Sequence, residues 1–152
     1  VHTSLVDSWD LAFQSGSNQH TVFLNGGKGM AAYNSMKTKF EDVSFSDTTK
    51  AKLNWSYDSP TGIEDSAAIG EWKTNTPIYL IKLNEAGTRV RKLQILSEDA
   101  FEYKIAVGDV ASTVPVVFTV VKNPTTNFTY FSFDLLKTID GVEPPKTTGI
   151  FR

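Results

Sequence analysis

Apolar and polar positions alternate from the first tryptophan onward. Trp9, Leu11 and Phe13 are interleaved with Asp10, Ala12 and Gln14, the period-two pattern of a half-buried strand. The polar residues 15–19 predict a turn, and residues 20–25 a second strand. That strand ends at Gly26-Gly27-Lys28-Gly29, where glycine permits positive φ and a sharp bend. Met30, Tyr33, Met36 and Phe40 recur at spacings of three and four, predicting a short helix or an irregular loop that buries one edge. Turn residues such as Asp58-Ser59-Pro60 and Thr61-Gly62 break up the next stretch, with one helical turn expected over 65–69.

From Pro77 onward the pattern is cleaner. Residues 78–83, 89–96, 101–107, 114–121 and 128–134 are five β-rich apolar runs separated by short gaps, which predicts an antiparallel meander. Asn84-Glu85-Ala86-Gly87 is a compact hairpin connection, and Lys122-Asn123-Pro124 is another turn. The fold class is therefore all-β, built of antiparallel sheets with at most one or two short helices. Residues 142–152 carry Pro144-Pro145 among polar neighbours and read as a linker or exit arm, leaving residues 1–141 as one β domain.

Length agrees with this division, since 152 residues suffice for one core. Fifteen basic residues against seventeen acidic ones give a net charge of −2, and no Lys/Arg run exceeds two, so nucleic acid is not a predicted partner. The most basic window, Thr88-Arg89-Val90-Arg91-Lys92, alternates over two strand faces and is expected to be solvated. With no cysteine, disulfides and thiolate sites are excluded. No apolar run is long enough to span a bilayer; any signal peptide is expected to have been removed, and any membrane anchor to lie outside this sequence.

Catalytic chemistry finds little footing. His2 and His20 stand far apart, with no carboxylate at helical spacing from either. No Gly-x-Ser-x-Gly elbow occurs. Glu64/Asp65 and Glu98/Asp99 are adjacent acids of the kind that usually face water rather than flank a glycosidic bond. Gly26-Gly27-Lys28-Gly29 lacks the spacing of a phosphate loop, and Asp47 and Asp58 match no calcium loop. The predicted class is non-enzymatic, without a structural metal. Met30 and Met36 are thioethers able to ligate haem iron, though methionine more often fills a core. Trp55, Tyr57, Trp72 and Tyr79 can form a stacking platform for a flat ligand or belong to the core.

Several ordered stretches resemble the HmuY-like surface proteins of Bacteroidetes. They are Ser8-Trp9-Asp10-Leu11-Ala12-Phe13, Val22-Phe23-Leu24-Asn25-Gly26-Gly27-Lys28-Gly29, Asp65-Ser66-Ala67-Ala68-Ile69-Gly70-Glu71-Trp72, Lys92-Leu93-Gln94-Ile95-Leu96-Ser97 and Asn127-Phe128-Thr129-Tyr130-Phe131-Ser132-Phe133-Asp134. The resemblance implies antiparallel sheets and a protein held at the outer membrane by a lipid anchor, or secreted. It also implies haem gripped between two axial side chains and passed to a TonB-dependent receptor. In such proteins the axial His or Met falls in the middle of the domain, here about residues 54–79, which contain neither. His20, Met30 and Met36 lie elsewhere in the pattern; they are candidate ligands by their own chemistry and not by the resemblance. Asp65-Ser66-Ala67 and Asp47-Thr48-Thr49 resemble the O-glycan acceptor pattern of the phylum, which makes Ser66 and Thr48 candidate acceptors.

Two functions follow as expectations. One is haemophore-like capture of haem or a porphyrin, which needs a cleft with a Met or His at its mouth. The other is an interaction module that docks on an outer-membrane receptor or surface complex without haem.

Overall fold

The computed structural model describes residues 9–17, 19–58, 68–139 and 142. Among these, nine strands form two antiparallel sheets. The strands are β1 (Leu11–Gln14), β2 (Val22–Leu24), β3 (Ala31–Asn34), β4 (Ile78–Lys82), β5 (Val90–Glu98), β6 (Glu102–Asp109), β7 (Val116–Val121), β8 (Phe128–Ser132) and β9 (Lys137–Ile139), with one helix, α1 (Phe45–Lys52), and 3-10 turns at Gly26–Lys28 and Phe40–Asp42. One sheet runs β2-β1-β8-β9 and the other β3-β4-β5-β6-β7. The all-β expectation holds.

The main core lies between the sheets. Leu11, Phe13, Val22, Leu24, Phe131 and Phe133 come from the first, and Tyr79, Ile81, Leu93, Ile95, Tyr103, Ile105, Val107 and Val120 from the second. The far face of the larger sheet carries a smaller core, in which Phe40, Val43 and Ala51 cover Ile78, Leu80 and Ala106. β4 and the middle of β5 are thus buried on both faces, which explains their unbroken apolar runs.

Four sequence expectations are corrected. β1 is not half-buried: it lies between β2 and β8, and all four of its residues are buried. The stretch after Met30 is a strand rather than a helix. Met30 and Ala32 enter the main core, while Tyr33 packs on the other side, so the period is two; alanines at 31 and 32 hide that alternation. The meander stops at β7, because β8 crosses to the other sheet and pairs with β1 from Leu11↔Phe131 to Gln14↔Phe128. The Lys122-Asn123-Pro124 turn makes that crossing, with the Asn123 N–H donating to Thr129 Oγ1 at 2.9 Å.

The fourth concerns the basic window, in which the arginines reach water and the lysine does not. Lys92 is buried, and its ammonium donates to the carbonyls of Phe40 (2.6 Å) and Ser112 (2.7 Å). Burial lowers its pKa, against the attraction of Asp47 and Glu41. Helix α1 was not predicted, because its sequence FSDTTKAK has no apolar stripe; its buried residues are Asp47 and Ala51. The legible signal was at its start, where the Ser44 N–H donates to Asp47 Oδ2 at 2.9 Å, half of a capping box. Residues 59–67 lie outside the described residues, so most of the helical turn expected at 65–69 does too, as does nearly all of the expected exit arm.

Candidate functional site

At the end of β3 the chain pinches two residues out of the ladder. The Ser35 N–H donates to the Ile78 carbonyl (3.1 Å), while the Ile78 N–H donates to the Lys37 carbonyl (2.8 Å), so Ser35 through Lys37 face a single residue of β4. Met36 is the middle residue of this bulge, a distortion of the kind that re-aims a side chain. Its φ is 64°, a left-handed conformation uncommon for a residue with a Cβ. Its N–H is held by Asn34 Oδ1 at 2.8 Å. The thioether is turned outward, and the residue is 81% exposed.

Met36 borders a pocket of about 370 Å³ that it shares with Asn34, Thr38, Glu71, Asn75 and Pro77. The Gln94 amide ties two sides of this region together, donating to the carbonyls of Thr38 (3.1 Å) and Thr76 (2.8 Å). Glu71 is the charged residue in the lining. Burial, and then the Glu71 charge, push the neighbouring Tyr79 hydroxyl up to about 12.

Glu71 also connects the pocket to His20, whose Nε2 is 3.9 Å from Glu71 Oε1. The imidazole stands edge-on to Trp72 at 5.9 Å, and Trp72 Nε1 donates to the His20 carbonyl at 2.8 Å. A buried indole thereby fixes the backbone that presents a half-exposed imidazole. His20 and Met36 come from distant points in the sequence and both flank Glu71.

The other candidates divide sharply. Met30 and Trp72 are 1% exposed and Tyr79 is 2% exposed; all three belong to the main core, so they present no sulfur or ring face to a ligand. The physical reason is packing: each side chain lies in the core between the sheets. Tyr57 is exposed, and Trp55 packs at the edge of the smaller core. The Lys82 ammonium sits 4.8 Å from the Tyr57 ring centroid and 5.8 Å from that of Trp55, so the pair is a cation-binding corner rather than an open platform. Thr48 lies in α1 with its hydroxyl donating to the Phe45 carbonyl at 2.5 Å. Ser66 and His2 lie outside the described residues.

A second concave region lies where the sheets part. One pocket of about 350 Å³ is lined by Phe118, Phe133, Val116 and Leu136 under Arg91 and Asp109, and a neighbouring one of about 500 Å³ shares Arg91 and Asp109. Arg91 pairs with Asp109 at 3.1 Å and Arg89 with Asp134, so both guanidinium groups are already neutralised. Among the described residues no group of three or more His, Asp or Glu is placed to hold a metal ion. No helix among them is long and apolar enough to cross a membrane.

The model of the HmuY protein family matches residues 2–143. The chain belongs to the HmuY family. No curated protein and no solved structure matches it significantly. The match spans β1 to β9, so both sheets belong to the HmuY domain. Among the described residues Met36 carries an exposed thioether, and His20 a half-exposed imidazole with the Glu71 carboxylate 3.9 Å away.

Proposed function

We propose that this HmuY-family domain is a non-catalytic binding protein of the bacterial surface that captures haem or a related porphyrin for a TonB-dependent uptake receptor. The observation that carries the reading is the bulge at Met36, which holds a fully displayed thioether in a strained conformation beside a pocket. Strain of this kind clusters at functional sites. Met36 is the proposed axial ligand, and His20, across Glu71, is the second candidate. When bound, haem would supply an iron that accepts sulfur and imidazole donors.

The test is a visible-absorbance titration with haemin, oxidised and reduced, of the wild-type protein and of Met36→Ala and His20→Ala. A saturable one-to-one change in the wild type, altered in band position or weakened at least tenfold by Met36→Ala, supports the assignment. A non-saturating response in the wild type, or binding that is unchanged in both variants, overturns it.

A second reading is a docking module for a receptor or surface complex that binds no haem. It is favoured by the burial of Met30, Trp72 and Tyr79, which leaves few aromatic faces for a porphyrin. Co-purification with an outer-membrane receptor, together with a featureless haemin titration, would select it.

A further inference from the structure

Two of the sheet edges are closed by the chain itself. The β2 edge is bridged by Ile69, and its Leu24 N–H is taken by Asp58 Oδ2 at 2.7 Å. The β3 edge is closed by Ser56, which exchanges two hydrogen bonds with Ala32, each 2.9 Å. β7 is different: it borders the larger sheet, and among the described residues it pairs only with β6. The Lys122 N–H donates to the Phe101 carbonyl, which marks that pair as hydrogen-bonded. Alternation along the antiparallel register then makes Val120↔Tyr103, Phe118↔Ile105 and Val116↔Val107 the bonded pairs. Val117, Thr119 and Val121 must therefore aim both N–H and C=O away from the sheet.

The strand itself carries no charge, proline or bulge, and among the described residues the guard beside it is the Lys104 ammonium of β6, 3.1 Å from Thr119 Oγ1. Natural edge strands carry lysines, prolines, bulges or covering segments that prevent strand addition. Val116–Val121 has the sequence VVFTVV, without a charge, and Val117 and Val121 are 54% and 61% exposed. The next residue, Lys122, turns its ammonium inward to Glu98 at 2.5 Å, so it guards nothing.

We infer that β7 pairs with β7 of a second copy of this chain, antiparallel and centred on Thr119. A two-fold interface must be self-complementary, and this run is. With Thr119 opposite Thr119, Val117 meets Val121 of the other copy and Phe118 meets Val120. Outward-pointing groups on both strands then form a ladder of about six hydrogen bonds, flanked by β-branched pairs of the type that stabilises sheets. The two larger sheets become one continuous sheet. A strand from an unrelated protein has no reason to match this symmetry about Thr119.

Sedimentation velocity over a wide concentration range, combined with cysteine cross-linking in a chain that has no cysteine of its own, tests the inference. The expected result is a monomer–dimer equilibrium that Val121→Lys abolishes while the circular dichroism spectrum is unchanged. In the same register Thr119→Cys should oxidise readily to a covalent dimer, since bonded-pair Cα atoms lie about 5.5 Å apart. Val117→Cys should not, because its two copies would lie about 14 Å apart. A monomer at every concentration, a dimer that survives Val121→Lys, or equal cross-linking at 119 and 117 would overturn it.

Discussion

The hydroxyl of Tyr103 donates to the carbonyl of Gln14 at 2.7 Å, a hydrogen bond that crosses the core from β6 of the larger sheet to β1 of the smaller. The Tyr103 ring packs against Phe13 at 4.9 Å and Trp72 at 6.4 Å, and the Lys122 ammonium sits 5.1 Å from its centroid. Burial, and then the nearby Glu98 charge, raise the phenol's pKa well above its ordinary value, so it remains a donor at any pH the fold survives.

Tyr103→Phe keeps the ring and removes this bond. The expected outcome is a loss of about 1–2 kcal/mol, the usual cost of deleting one partner of a buried hydrogen bond, with an unchanged fold. Urea denaturation checks it: the midpoint should fall at constant m-value, and an unchanged midpoint would mean that the sheets are held by apolar packing alone.

Glu98 and Lys122 form a buried ion pair whose side chains are 5% and 2% exposed. Lys73 reaches the other carboxylate oxygen at 2.8 Å. The Lys122 ammonium also donates to the carbonyls of Gly16 (2.9 Å) and Gln19 (3.1 Å), so the pair locks the β1–β2 turn to the larger sheet. Burial works to raise the Glu98 pKa, but the two ammonium groups outweigh it and leave the carboxyl below its ordinary value of 4.5. Glu98→Gln strands the Lys122 charge and is expected to cost about 3 kcal/mol.

The sign with pH follows from that lowered value. Above pH 4.5 the pair contributes fully; as pH falls below it, the unfolded chain takes up the proton first and the contribution is lost. The stability gap between wild type and Glu98→Gln should therefore narrow on acidification. Denaturation at neutral pH and again below pH 4 measures it, and a gap that widens toward acid would refute the pairing as the source.

Gly29 has φ +71°, and a Cβ there would stand 2.6 Å from Glu85 Cβ and 2.8 Å from its Cα. The obstacle is the backbone of the β4–β5 hairpin, which cannot swing aside as a flexible side chain can. Gly29→Ala is expected to cost at least about 2 kcal/mol. Gly26→Ala meets no atom within 4 Å and serves as the control. Thermal melts of the two variants should separate clearly, and equal melting temperatures would show that the hairpin yields.

The sequence by itself determined β1, β2 and β4 to β8, though not β3 or β9, because alternation and β-branched runs report local burial without reference to partners. It also placed the punctuation correctly: Gly87, at φ 72°, ends the β4–β5 hairpin, and Gly29 turns the chain after β2. Tertiary structure decided what lies on the second face of each strand. Only packing made β1 buried throughout, drew Lys92 into the interior, sent β8 to the other sheet and folded α1 from a sequence with no apolar stripe. Met36 shows the same division. Its spacing looked helical, but a bulge that sets Ser35 through Lys37 against Ile78 alone aimed it outward, and the approach of His20 to Glu71 depends on contacts between residues far apart in the chain, which no local pattern encodes.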